Sequence, residues 1–286
     1  MGKSRPEHQA PPEIYYGVDN AAQYAKNSRN QTIQRMMTER SIELLELDSS
    51  PSFLLDIGCG TGFSGQTITN EGHLWVGCDI APEMLRHARH NCVDGDLMLL
   101  DIGEGLPFRT GVFDGAISIS VIQWLCQADK SYHHPRKRLL RFFTSLYASL
   151  KPRAKAVLQF YPENDDQIAM IENAALNAGF CGGIVVDYPN STKAKKFYLV
   201  LMVSKSGDAF ELPEGKTEVT EHDILKARVA HNDKRRWITH IEKEKASRAK
   251  KGSKRWIKQK KTAQRRKGVR VTNDSKYTGR RRRNKF

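Results

Sequence analysis

The 286-residue chain has five cysteines and no Cys-x-x-Cys pair among them. An odd count, at Cys59, Cys78, Cys92, Cys126 and Cys181, argues against a disulfide framework or an internal zinc site and fits a reducing compartment. No apolar run approaches the roughly 18 residues that span a bilayer. The N-terminal MGKSRPEHQAPPE holds no apolar signal core, and Pro6 stands where acylation of Gly2 wants Ser or Thr. These absences point to a soluble intracellular protein with no membrane partner. Acidic residues are scarce at one end only. From Glu221 onward 25 Lys and Arg face 6 Asp and Glu, leaving 22 against 26 in the first 220 residues. A net +19 on the last 66 residues, against −4 before them, describes a basic tail on a near-neutral globular domain, with a polyanion as partner.

What is present from Pro51 to Ser206 is an alternation of strand-like and helix-like segments, the pattern of a parallel α/β sheet. FLLDIG (53–58), HLWVGCDI (73–80), DLMLLDI (96–102), FDGAISIS (113–120) and KAVLQFY (155–161) read as five strands. PEMLRHARH (82–90), RLLRFFTSLYASL (138–150) and DQIAMIENAALNAGF (166–180) have helical apolar spacing. GGIVVDYP (182–189) and KKFYLVLMVS (195–204) are two strands with no helix between them, which implies an antiparallel pair at one edge. Asn20 to Leu47 reads as one or two helices. Beyond Glu221 apolar periodicity fades and no fold is assigned. The expected division is 1–50, 51–206 and 207–286.

DIGCGTG follows the first strand, with Gly58, Gly60 and Gly62 at alternate positions that allow a ligand close approach to backbone. A dinucleotide fingerprint would want glycine at 63, which is Phe63, and the Gly-Lys-Ser/Thr of a phosphate loop is absent. A tight strand-to-helix turn is the plainer reading of the glycines alone. The acids decide otherwise. Asp79 ends the second strand, 21 positions past Gly58, where a carboxylate accepts from both ribose hydroxyls. Asp101 ends the third, in reach of an adenine amino group, and Asp56 precedes the glycines, where it meets an ammonium or orders the loop. Ribose, adenine and amino-acid contacts without a diphosphate cradle describe S-adenosylmethionine.

LLDIGCGTG, VGCDIAPEMLRHA, LLDIGEGLPF and FDGAISIS resemble the successive motifs of class I S-adenosylmethionine-dependent methyltransferases, in order and spacing. The resemblance implies a Rossmann-like seven-stranded sheet of order 3-2-1-4-5-7-6, here with N-terminal helices and a basic C-terminal tail. LKPRAK departs from the glycines many members carry after the proline, in a loop that only connects a helix to a strand. PPEIYYGVDNAAQYAKNSRNQTIQ, GFCGGIVVDYPNSTKAKKFYLVL and the terminal basic block resemble the eukaryotic small-subunit (18S) ribosomal RNA guanine-N7 methyltransferase family, over nearly the whole chain. That resemblance implies work in the nucleus and nucleolus, and on the cytoplasmic path as well, on the pre-40S particle. It also implies a heterodimer with a small zinc-binding activator. The implied cofactor contacts are Tyr16, Tyr24, Asp56, Gly58, Gly60, Gly62, Asp79, Ile80, Met84, Asp101, Ile102 and Ser118. The segment holding Tyr15, Tyr16 and Tyr24 is expected to fold over the cofactor, although aromatics at helical spacing are more often core.

SISVIQWL (118–125), after the fourth strand, has no acid, base or thiol. Pyrimidine-carbon methylation needs a thiol that adds to the ring, and the usual Pro-Cys is missing. Amino-group methylation typically uses an Asn-Pro-Pro-Tyr-like turn, which is also missing, and oxygen nucleophiles need a base. Guanine N7 has a free lone pair and no proton to lose. For such a substrate Trp124 can stack on the base and Gln123 can bond its edge; an ordinary buried aromatic is the other reading of Trp124. No metal ligand set is expected.

Lys193, Lys195 and Lys196, between the last two strands, are candidates for phosphate contacts or are simply solvated. Lys250, Lys251, Lys254, Arg255, Arg265, Arg266 and Lys267, with Arg280, Arg281, Arg282 and Arg283, fit both a nuclear import signal and an RNA-binding arm. Trp237 and Trp256 among them can stack on unpaired bases. The third strand is expected at the sheet edge, yet LMLL is apolar on both faces, so the activator is expected to pair around Leu97 to Leu100. A ribosome-assembly factor whose catalysis is dispensable is the competing function. A small-molecule or protein methyltransferase would leave the tail without a purpose.

Overall fold

In the computed structural model, residues 5–47, 51–191, 194–204, 210–217, 257–258, 261 and 271–274 are described. Two compact units divide the chain, Met1–Val219 and Thr220–Phe286. The first opens with a 3-10 turn (Pro6–His8) and a short helix α1 (Pro12–Tyr15), each with proline in its first turn, where a missing N–H is no loss. Helix α2 (Val18–Lys26) ends at Asn27. The Asn27 side chain accepts from the amides of Arg29 at 3.0 Å and Asn30 at 3.3 Å, and so starts α3 (Ser28–Leu45).

Strands and helices then alternate: β1 (Phe53–Ile57), α4 (Phe63–Asn70), β2 (Leu74–Asp79), α5 (Pro82–His90), β3 (Asp96–Leu99), β4 (Phe113–Ile119), α6 (Pro135–Ser149), β5 (Leu150–Phe160), α7 (Asp165–Asn177), β6 (Phe180–Asp187) and β7 (Lys196–Val203). They form one sheet of order β3-β2-β1-β4-β5-β7-β6, the order the motifs imply. Strands β3, β2, β1, β4 and β5 pair in parallel, and β7 runs antiparallel to both β5 and β6. The helix-free link from β6 to β7 forces that reversal, since it is too short for the crossover a parallel pair needs.

Leu55 and Ile57 of β1 enter one core and Leu54 the other, an alternation that sets the two cores on opposite faces of the sheet. The first core packs Leu139, Phe142, Phe143 and Leu146 of α6, spaced i, i+3, i+4, i+7, beside Ile171 and Ala175 of α7. The second packs Leu44 and Leu45 of α3 and Ile68 of α4. Several boundaries differ from the sequence reading. Strand β3 stops at Leu99 instead of Ile102, because the Asp101 carboxylate accepts from the Gly103 amide at 2.9 Å and starts a turn over Ile102–Glu104. Strand β5 begins already at Leu150, with an irregularity in its pairing to β4 between Phe113 and Gly115. Helix α6 begins at Pro135.

In the second unit Ile257, Lys258 and Lys261 are helical. Lys261 Nζ donates to the Thr272 carbonyl at 3.1 Å and lies 3.4 Å from the Asp274 carboxylate. Among the described residues no helix is long and apolar enough to cross a membrane.

Candidate active site

The carboxyl ends of β1 to β4 open into a cavity of about 450 Å³. Its floor is the glycine loop. Gly58, Gly60 and Gly62 all have positive φ, at 74°, 53° and 85°, and a Cβ on Gly58 would lie 2.1 Å from Val121. A side chain there would therefore meet both strain and a filled space. Gly58 and Cys59 donate to the Cys78 carbonyl at 2.7 and 3.0 Å, which ties the loop to β2. Asp79, at the end of β2, accepts from the Gly60 amide at 2.9 Å and the Ala81 amide at 2.8 Å. Burial pushes its carboxyl up to about 6, against the opposing effect of those amides.

Asp56 lies under the loop with no exposure. Its Oδ2 accepts from Ser64 Oγ at 2.6 Å, while Oδ1 has no partner. Burial, with Asp79 nearby, pushes the Asp56 carboxyl up to about 7 although Ser64 pulls it down. Thr61 Oγ1 and Gln123 Oε1 are also buried without partners, and both residues line the cavity. Unpaired buried polar atoms are costly, so the Thr61 and Gln123 oxygens on the lining call for a ligand that donates hydrogen bonds, while Arg138 Nε, also buried without a partner, leaves a donor there. The ammonium and ribose hydroxyls of S-adenosylmethionine are such donors, and the residues present fit it.

Ten of the twelve implied cofactor residues or their loop backbone stand at this site: Tyr16, Tyr24, Gly58, Gly60, Asp79, Ile80, Met84, Asp101 and Ile102 line the cavity, with Asp56 beneath. Gly62 caps α4 behind the loop. Ser118 is fully buried and donates to the Ile57 carbonyl at 3.0 Å, so its hydroxyl serves the β1–β4 pairing. The serine that lines the cavity is Ser120, two residues on. Its φ of 61° breaks the strand, and its hydroxyl donates to Gln159 at 2.7 Å.

Asp101 is not a free acceptor. Arg138 Nη2, from α6, bridges both of its carboxylate oxygens at 2.6 and 2.8 Å. Arg138 Nη1 also meets His133 Nδ1 at 3.0 Å, and burial together with the Arg138 charge lowers the His133 pKa. A Cβ on Gly103 would lie 2.2 Å from Arg138 Nε, so the turn after Asp101 is shaped around the guanidinium. Asp101, Glu104 and His133 approach within ligand distance of one another. Arg138 and Arg141 pair with the two acids.

The N-terminal segment closes the cavity with aromatics. Tyr24 stacks on Phe63 at 6.0 Å, and Tyr16 lies 5.9 Å from both Tyr24 and Trp124. Burial, helped by neighbouring tyrosines and Asp79, raises the Tyr16 pKa. Arg5 fastens the segment by donating to the carbonyls of Tyr161 at 3.0 Å and Pro162 at 2.9 Å. Trp124 is 8% exposed, packed by Tyr15 and Tyr16, and still lines the cavity beside Gln123. It is both core and wall. Lys196 turns its Nζ to the Ala194 carbonyl, and Lys195 lies over the Phe197 ring at 4.9 Å, so both stay at the β6–β7 link. Lys193, Trp237, Lys250, Lys251, Lys254, Arg255, Trp256, Arg265, Arg266, Lys267 and Arg280 to Arg283 lie outside the described residues.

Sheet order, glycine loop and acids at successive strand ends define a class I S-adenosylmethionine-dependent methyltransferase. Residues 54–153 match a family described as "Methyltransferase domain", and residues 202–284 match "Methyltransferase involved in Williams-Beuren syndrome". Two full-length relatives fix the family. The chain is 48% identical over 289 residues to the 18S rRNA (guanine-N(7))-methyltransferase of Mus musculus, covering 99% of this chain and 98% of that one. It is 49% identical over 284 residues to the 18S rRNA (guanine(1575)-N(7))-methyltransferase of Saccharomyces cerevisiae, covering 99% and 100%. The chain belongs to the 18S rRNA (guanine-N7)-methyltransferase family. The fold also matches magnesium protoporphyrin IX methyltransferase of Synechocystis PCC 6803, solved with S-adenosylmethionine, at 17% identity and a TM-score of 0.51, covering 71% of this chain and 99% of that one.

Proposed function

We propose that the chain methylates N7 of a guanine in 18S ribosomal RNA. The observation that carries this is the cavity itself: a glycine loop, acids at three strand ends and no general base at the β4 turn. Family membership over the full length supports the substrate.

S-adenosylmethionine supplies an activated methyl group on its sulfonium when bound. Asp79 would hold the ribose hydroxyls and Asp101 the adenine amino group, while the buried Asp56 would order the loop beneath them through Ser64. Tyr24 stacked on Phe63, with Tyr16 edge-on to Tyr24, would exclude water from that side, which strengthens each polar contact. Trp124 and Gln123 are suited to grip the base by stacking and by one edge bond. Fixing the acceptor in line with the methyl group is the main help the protein must give, because N7 has no proton to remove.

Asp79→Asn tests the reading. Losing a charged acceptor is expected to weaken S-adenosylhomocysteine binding on the order of 10- to 100-fold and to abolish N7 methylation. If methylation stops while small-subunit maturation continues, the chain acts in assembly chiefly by its presence. Unchanged methylation would contradict the proposed site. The same reading extends to a nuclear and nucleolar location, to the pre-40S particle, to a three-part division at 50 and 206, and to a zinc-binding activator. The activator would pair with β3, a sheet edge where Leu99 is 60% exposed.

A further inference from the structure

The first 220 residues carry 22 Lys and Arg against 26 Asp and Glu, yet five of those cations fall in the 15 residues from Gln127 to Arg141, facing only Asp129. A net +4 is thus concentrated in one short stretch of an acid-leaning unit. That stretch is the rim of the cavity: Asp129, His133 and Arg138 line it. We infer that the rim is a preformed dock for the single-stranded RNA flanking the target guanine, with Tyr132 as a base-stacking platform and Arg136 and Lys137 as phosphate contacts. The inference rests on the function proposed above and names the surface that presents its substrate.

Two sets of side chains alternate along the rim. The inward set anchors it. Arg138 holds Asp101 at 2.6 Å and His133 at 3.0 Å, and the His133 amide closes a turn on the Lys130 carbonyl at 2.8 Å. Lys130 lies 3.6 Å from Glu13 of the N-terminal segment. The outward set is left to solvent. Tyr132 is 66% exposed, braced edge-to-face on His133 at 4.9 Å, with Lys130 Nζ 6.0 Å over its ring as a further cation for a backbone phosphate. Arg136 and Lys137 are exposed and make no ion pair with a described residue.

Exposed aromatics normally find cover, and one set among exposed cations matches the stacking-plus-backbone mode by which single strands are bound. Because Arg138 and His133 fix the rim in advance, little ordering entropy would oppose binding. The groups also suit RNA better than an acidic peptide, since the flat ring adds a stacking contact that a base can make and a carboxylate cannot. A base entering the cavity past Trp124 must bring its neighbouring nucleotides over this rim.

The test uses the full chain saturated with S-adenosylhomocysteine and a short single-stranded oligoribonucleotide containing guanine. Ultraviolet crosslinking with peptide mapping is expected to mark the 130–141 peptide at Tyr132. Tyr132→Ala is expected to weaken RNA binding on the order of 10-fold. The double variant Arg136→Gln/Lys137→Gln should reduce the slope of log K against log salt by about 1.4, at about 0.7 per single-strand phosphate. S-adenosylhomocysteine affinity and melting temperature stay unchanged in both, which separates docking from folding. Crosslinks confined to residues 221–286, with unchanged RNA affinity in both variants, would overturn the rim. Wild-type chain that makes no N7-methylguanosine would instead count against the proposed function, since RNA binding is read without methyl transfer.

Discussion

Asp56 and Asp79 sit where burial holds their carboxyls up, to about 7 and about 6. A raised acid binds more protons in the folded than in the unfolded chain, so its stabilising effect is full below the ordinary carboxylate range. That stability is lost as pH rises through the folded values. The ligand-free protein is therefore expected to melt progressively lower as pH climbs from about 4 to about 7. Cofactor binding should run the other way, tightening across pH 6 to 7 as the Asp79 carboxylate on the cavity wall ionises to meet the ribose hydroxyls. Calorimetric titration of S-adenosylhomocysteine across that range checks this, and a flat profile in the wild type would refute it. Both acids were legible in the sequence, Asp79 because it ends an apolar strand and Asp56 because it precedes the glycine loop. Ser118 was not, since only the φ of 61° at Ser120 reveals which serine turns to the cavity.

The helix–strand link between α6 and the end of β3 was invisible to sequence reading. Arg138 is 37 residues from Asp101, and its charge looked like one of several on an amphipathic helix. Only the parallel order β2-β3 and the packing of α6 against the 102–104 turn bring the two together. Periodicity did place α6 itself and all seven strands, because Leu139, Phe142, Phe143 and Leu146 share one face and each strand is an apolar run. Arg138→Met removes a cation that bridges both oxygens of a partly buried carboxylate. Binding of S-adenosylhomocysteine is expected to fall on the order of 10-fold or more, because Asp101 would no longer be held in position. Discrimination against S-inosylhomocysteine, which lacks the adenine amino donor, should fall with it. Equal discrimination in wild type and variant would show that Arg138 only packs the helix.

At the scale of the whole molecule, charge is partitioned. The unit Met1–Val219 holds the cavity, and the residues after 220 carry a net +19. Composition alone displayed that partition, whereas the N-terminal cap over the cavity needed long-range contacts such as Arg5 to the Tyr161 and Pro162 carbonyls. A net +19 after residue 220 on an otherwise acid-leaning chain supports the proposal that electrostatics gather the RNA and the cavity selects the base. The empty chemistry of SISVIQWL then becomes meaningful, since it suits an acceptor whose lone pair is already free. The most direct measurement maps N7-methylguanosine along 18S ribosomal RNA from cells with the chain, without it, and with the Asp79→Asn form. One site should be methylated with the wild-type chain and unmethylated in the other two. A map unchanged by removing the chain would contradict its role as the enzyme.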